Sequence, residues 1–172
     1  MYFCRGMTHL NLEQYERAID DFDKTLKFAP PNSPANIDAY FQRGLAYGQI
    51  EPYEQAIQDF NKAIEIFPHA ANLYNNRGWA YAELKQYERA LEDLDKAIEL
   101  EPNFAHAYYS RGCVYKKLEQ YERAIEDFNK AIELYPDLAE AYRNCGECRK
   151  ALGDETGAQS DLDKARNLGY KD

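Results

Sequence analysis

An all-α solenoid of five stacked antiparallel helix pairs is the fold class that this 172-residue sequence predicts, and three observations predict it. The first is a repeat. Tyr74, Gly78, Tyr81, Ala90, Leu94, Ala97 and Pro102 return 34 positions later as Tyr108, Gly112, Tyr115, Ala124, Phe128, Ala131 and Pro136, and 34 positions earlier as Tyr40, Gly44, Tyr47, Ala56, Phe60, Ala63 and Pro68. The second is that each unit holds two apolar runs at helical spacing, separated by a polar dipeptide such as Lys85-Gln86. The third is the proline that closes each second run, at Pro30, Pro68, Pro102 and Pro136, where a missing amide ends a helix. A fixed period in this range leaves every unit an apolar face that only its neighbours can cover. The chain, 1–172, therefore reads as one solenoid domain with repeats at about 1–32, 37–70, 71–104, 105–138 and 139–172.

Taken in order, the first unit opens inside its first helix, with Tyr2 and Gly6 in the columns of Tyr40 and Gly44. His9 replaces the tyrosine of the Tyr47 column and Thr25 the alanine of the Ala63 column, so this copy is degenerate: an edge of the stack, or the start of a chain cut from a longer one. Between Pro30 and Ile37 the spacing stretches by four residues, and the three prolines of Pro30-Pro31-Asn32-Ser33-Pro34-Ala35-Asn36 predict a projecting loop. In the second unit Pro52 precedes Tyr53, at a helix start that tolerates a missing amide. In the third, Gly78 and Ala90 are small where the two helices cross, which lets the backbones approach. The fifth unit turns polar: Arg149, Glu155, Gln159 and Arg166 stand in the columns of Tyr115, Tyr121, Ile125 and Ile132, as expected of a C-terminal cap that faces water.

The seven recurring columns resemble the tetratricopeptide repeat family, and Asn76-Arg77-Gly78 and Asp95-Lys96-Ala97 look like the variety common in bacterial and archaeal repeat proteins. The resemblance covers nearly the whole chain. It implies a helix-turn-helix unit, a right-handed superhelix with a concave groove, and binding of peptides or partner helices without catalysis. In the family the first helices face inward, so Phe41 with Leu45, Asn75 with Trp79, and Tyr109 with Cys113 would project into the groove, each pair on one helical face, with Phe3 and Met7 continuing the stripe. Gln42, Asn76, Ser110 and Asn144 form a polar column beside them, able to donate to and accept from the main chain of a bound segment. Members that clamp a terminal carboxylate carry lysine, asparagine and arginine at such positions. Asn76 and Asn144 match in type, but Phe41, Leu45 and Glu140 do not, so an apolar or amphipathic segment suits this groove better. Packing between neighbouring first helices would account for the same side chains without a ligand.

A net charge of -9 speaks against nucleic acid and against an anionic membrane surface, since both ask for a basic face. No run is long and apolar enough to insert in a membrane, and four cysteines without framework spacing suit a reducing compartment, with the cytoplasm as the expected location. Arg5, Arg43, Arg77 and Arg111 recur once per unit, as do Asp21, Asp59, Asp93, Asp127 and Asp161. Pairing between the two columns is expected over a cationic ladder for an acidic ligand, because a half-buried guanidinium needs a carboxylate. Cys145 breaks the arginine column and leaves Asp161 without its usual partner. Cys145 and Cys148 make a CxxC, a spacing that can bind zinc or cycle a disulfide, with Cys113 and His106 as further candidate ligands. Against that, Gly146 is the repeat's own glycine and Cys148 fills the small apolar column of Ala46, Ala80 and Val114. No phosphate loop or nucleophile motif appears. The sequence thus predicts no catalytic residue, no metal and no cofactor: a noncatalytic scaffold that binds a protein or peptide partner in its groove. Two other readings stay open. One is a homo-oligomer formed through the first repeat, with Phe3, Met7 and Leu10 meeting a second copy. The other is the regulatory or docking domain of a larger enzyme.

Overall fold

The computed structural model describes residues 1–30 and 33–170, and among these it holds ten helices and no strand. They are α1 (Tyr2–Asn11), α2 (Tyr15–Phe28), α3 (Pro34–Gln49), α4 (Tyr53–Ile66), α5 (Ala71–Glu83), α6 (Tyr87–Leu100), α7 (Ala105–Lys117), α8 (Tyr121–Leu134), α9 (Ala139–Ala151) and α10 (Glu155–Asn167). The chain forms two compact units, Met1–Arg89 and Ala90–Asp172. In the first, α1 packs on α2, α2 on α3, α3 on α4 and α4 on α5, while the first helices of successive repeats, α1, α3 and α5, also meet. In the second, α7 packs on α8, α8 on α9 and α9 on α10, and α7 meets α9.

The repeat columns explain this packing. A ring or leucine in each second helix from α2 to α8 is fully buried, as Phe22, Phe60, Leu94 and Phe128, amid the buried alanines Ala18, Ala56, Ala90 and Ala124. The glycine of the first helix forms the notch that receives it. A Cβ placed on Gly44 would come within 2.8 Å of Phe60 Cε1, and one on Gly112 within 2.7 Å of Phe128 Cε1, so only a residue without a side chain permits this approach. In the fifth repeat Leu162 and the carbonyl of Ala158 fill the same place, each 3.0 Å from a Cβ on Gly146. Each second helix ends two residues before its proline: α2 at Phe28, α4 at Ile66, α6 at Leu100 and α8 at Leu134.

The turn inside each repeat follows one plan that the sequence hides. After α5, the Gln86 amide donates to the Tyr81 carbonyl and the Lys85 amide to Ala82, the paired bonds of a Schellman C-cap, with Lys85 at φ 58°. The same pair follows α1, α7 and α9, with Glu13, Glu119 and Gly153 in the left-handed region. In the second repeat Pro52 stands in the Gln86 column without an amide to give, and Glu51 still takes φ 73°. Only the fifth repeat uses the glycine that this backbone favours.

The expected loop at Pro30–Asn36 is shorter than the sequence suggests, and its Pro31 and Asn32 lie outside the described residues. Pro34 does not break a helix. It starts one, because the first turn needs no amide from it. Helix α3 consequently runs for 16 residues where α5, α7 and α9 have 13. Helix α10 is the least buried second helix: only Ala158 and Ala165 are buried in it, and Asp154 caps it by accepting from the Gly157 amide at 2.9 Å.

Since a left-handed backbone strains lysine and glutamate but not glycine, Lys85→Gly and Glu119→Gly should each raise the unfolding free energy by about 0.5–1 kcal/mol. Glu16→Gly, inside α2, should lower it by about as much. Urea titrations followed by circular dichroism check this, and destabilisation by Lys85→Gly would contradict the assignment of the turn.

Candidate protein-binding surface

Helical spacing puts one arginine at the middle of the first helix in each of the first four repeats, facing the second helix. Arg5 grips the buried Asp21 with Nε–Oδ2 at 2.7 Å and Nη2–Oδ1 at 2.5 Å; Arg43 holds Asp59 at the same two distances, and Arg111 holds Asp127 at 2.8 and 2.7 Å. The expected pairing is therefore found at these three arginines. Their third nitrogen does more than the sequence suggests: Arg43 Nη1 turns back to Asp23 of the preceding second helix, and Arg111 Nη1 to Asp95 at 2.6 Å. Arg77 Nη1 donates to Asn61 Oδ1 at 2.6 Å, in the same column as Asp23 and Asp95. Two tyrosines flank the guanidinium in the second to fourth repeats: Tyr40 and Tyr47 lie 5.7 and 5.9 Å from Arg43, Tyr74 and Tyr81 5.5 and 6.0 Å from Arg77, and Tyr108 and Tyr115 5.7 and 5.9 Å from Arg111. Hydrogen bonds from Arg5 hold the Asp21 carboxyl below its ordinary range, while burial pushes the Asp59 carboxyl up. In the fifth repeat Asp161 lacks the arginine of the column, and Arg149, one helical turn beyond Cys145, pairs with it at 2.9 Å instead.

In the first unit, α3 carries Phe41, Gln42 and Leu45, all half-buried, and α5 carries Asn75, Asn76 and Trp79. Phe41 does not simply project. Its ring tilts onto Phe60 with centroids 6.2 Å apart and so shares in the core. Trp79 is 36% exposed. One side of its indole rests on Gly48, where a Cβ would stand 3.0 Å from the ring, and Tyr53 meets it edge-on at 5.5 Å. Asn76 Nδ2 is engaged by the Asn72 carbonyl at 2.7 Å, and Asn75 Oδ1 is buried with no hydrogen-bond partner. Sequence reasoning passed over Gly48 and Tyr53. Their signal was the small residue in the last turn of α3 and the aromatic that starts every second helix up to α8.

In the second unit, α7 carries Tyr109, Ser110 and Cys113, all half-buried, and α9 carries Asn144. Tyr109 packs on Phe128 at 5.9 Å and burial pushes its hydroxyl pKa up, so it stays protonated. Asn144 was expected to meet a bound main chain, but it is only 8% exposed and its amide is spent within the protein. It donates to the Tyr109 hydroxyl at 3.2 Å and the Glu140 carbonyl at 2.9 Å, and accepts from Lys116 Nζ at 2.7 Å. Lys116 also pairs with Glu147, which Arg143 meets at 2.6 Å. This cluster fixes the Tyr109 ring and puts a charged group beside it.

Cys145 and Cys148 are fully buried in one cluster with Tyr115, Ala124 and Phe128. Burial pushes their thiols up to about 12 and about 11. His106 stacks on Tyr135, with centroids 6.3 Å apart, and meets Phe104 at a tilt, at 6.0 Å. Among the described residues no three histidine, cysteine or acidic side chains gather at a metal-sized site. A folded chain treated with iodoacetamide at pH 8 should therefore be alkylated first at the exposed Cys4, with Cys145 and Cys148 modified only after denaturation. Peptide mapping by mass spectrometry checks the order, and rapid native labelling of Cys145 would contradict it.

The chain matches the tetratricopeptide repeat family model over residues 37–69, 71–104 and 105–138, and a second tetratricopeptide model over residues 1–32. No curated protein sequence matches it. Among solved structures it is similar to MamA, at 28% identity and a TM-score of 0.78, covering 97% of this chain and 89% of that one. A second MamA structure, residues 41 to the end from Desulfovibrio magneticus RS-1, matches at 24% identity and a TM-score of 0.81, covering 97% and 92%. YrrB, described as a TPR protein with an unusual peptide-binding site, matches at 25% identity and 0.69, covering 98% and 84%. None of the described helices is long and apolar enough to cross a membrane. With four repeats matched in register, this chain belongs to the tetratricopeptide repeat family.

Proposed function

We propose that this protein is a noncatalytic scaffold that holds a peptide or amphipathic helix of a partner protein against the inner faces of its first helices. The observation that carries the reading is Trp79, the chain's one tryptophan, which leaves part of its indole open while Gly48 and Tyr53 back the rest of it. Tryptophan backed by rigid neighbours is the kind of residue that dominates interfaces. In the second unit Tyr109, Ser110 and Cys113 are the corresponding contacts, with Asn144 holding Tyr109 in place. The peptide-binding site described for YrrB supports the same use of the fold. Four free cysteines suit a reducing compartment such as the cytoplasm. A second reading is self-association through Phe3, Met7 and Leu10 of the first repeat; these are half-buried, and the exposed apolar side chains of the same repeat are Tyr2, Leu12 and Phe28.

Because Trp79 is already two-thirds covered, completing its burial is worth about 1 kcal/mol, or roughly fivefold in affinity. With a partner obtained by crosslinking and capture, calorimetry should show about that loss for Trp79→Ala and none for Lys96→Ala. The tryptophan emission of the wild type should move to the blue on binding. Equal affinities for all three proteins would move the site off these helices.

A further inference from the structure

The four-residue insertion of the second repeat changes one hydrogen bond that its siblings share. In the third and fourth repeats the tyrosine of the first helix donates to the proline carbonyl before it: Tyr74 to Pro68 at 3.1 Å and Tyr108 to Pro102 at 3.2 Å. In the second repeat the corresponding carbonyl, that of Pro30, accepts instead from Asn36 Nδ2 at 2.9 Å, and Asn36 belongs to the insertion. Tyr40, in the column of Tyr74, is left to line a hollow of about 500 Å³ between the ends of α2 and α4 and the start of α3. Asn36 lines the same hollow. It is 5% exposed, and its Oδ1 finds no donor among the described residues, which is rare for a buried acceptor and favours a ligand N–H there.

We propose that this hollow is a second binding site, separate from the face of Trp79, and that it takes a short extended peptide carrying an acidic residue beside an aliphatic one. The peptide N–H meets Asn36 Oδ1, its carbonyl accepts from the Tyr40 hydroxyl, and its aliphatic side chain lies on Leu26 and Ile66. The carboxylate goes to Lys27 and Lys62. Although the chain as a whole carries a net charge of -9, the hollow is lined by two lysines and one glutamate, Glu65, so its own balance is positive. Lys62 meets Glu65 at 2.8 Å, but both are more than half exposed, and a ligand carboxylate exchanges for such a surface pair at little cost. A neighbouring hollow of about 540 Å³ shares Tyr40, Lys62 and Glu65 and runs on to Arg43 and Asp59, giving an extended chain room to continue.

The test is a nitrogen-15 NMR titration of the full chain with the acetylated, amidated tetrapeptide Val-Asp-Val-Asp. Saturable shifts of the Asn36 side-chain amide and of the backbone around Tyr40 are expected. The double variant Lys27→Glu with Lys62→Glu should bind at least about tenfold more weakly and Tyr40→Phe about fivefold, while Trp79→Ala leaves binding unchanged. The peptide Val-Lys-Val-Lys should not bind. No saturable shift at Asn36 up to several millimolar peptide, shifts confined to the Trp79 face, or equal binding of the lysine peptide would each overturn the proposal.

Discussion

A carboxylate buried in every second helix from α2 to α8 governs this structure. Removing a carboxylate from water is costly, so each site stands only if a cation meets it with both oxygens satisfied. Arg43 and Arg111 do so from the first helix of the same repeat, and their remaining nitrogen binds Asp23 or Asp95 from the repeat before. One guanidinium thereby links three helices. The tyrosines at each side of it, three residues before and four after, are accounted for by the same requirement, since they confine the arginine to the plane that the aspartate needs. The glycine notch does the apolar part of the same task one position further on. With Gly44 against Phe60 and Gly112 against Phe128, the helices come close enough for the arginine to reach.

What was legible in the sequence was whatever repeats. Helix number, the proline stops, the small residues at the crossing and the arginine–aspartate pairing are all column properties, and three or more copies separate them from chance. What was illegible depends on spacings other than the period. Lys116 meets Glu147 from 31 residues away, and Arg149 pairs with Asp161 from a column that holds tyrosine in the second to fourth repeats. Proline signals were read too simply at Pro34, because the same missing amide that stops a helix is harmless in its first turn. The left-handed turn residues Glu13, Lys85 and Glu119 carry no signal in their chemistry, since the fold imposes a backbone that these side chains only tolerate. Asn144 shows the limit of reading a site by column: it shares its column with Gln42, Asn76 and Ser110, but its neighbours consume its hydrogen bonds.

The division of labour that results suits a binding protein. The glycine, arginine and aspartate columns are held to type by packing, while the candidate contact positions on the first helices differ from repeat to repeat: Phe41 and Leu45, then Asn75 and Trp79, then Tyr109 and Cys113. Such a scaffold can vary its contact residues without loss of fold, because the carboxylate and the glycine notch lie elsewhere on the same helices. The insertion before α3 uses the same freedom on another face, where it diverts the Pro30 carbonyl and leaves the tyrosine hydroxyl to the hollow.

The claim that paired burial, and not either charge alone, holds the repeats in place is tested most directly by a double-mutant cycle at Arg111 and Asp127, read by urea unfolding of the full chain. Arg111→Leu and Asp127→Leu should each cost about 2–4 kcal/mol, because each strands a charge, and the double variant should cost little more than either. Single losses that simply add, with no coupling between the two sites, would contradict the account.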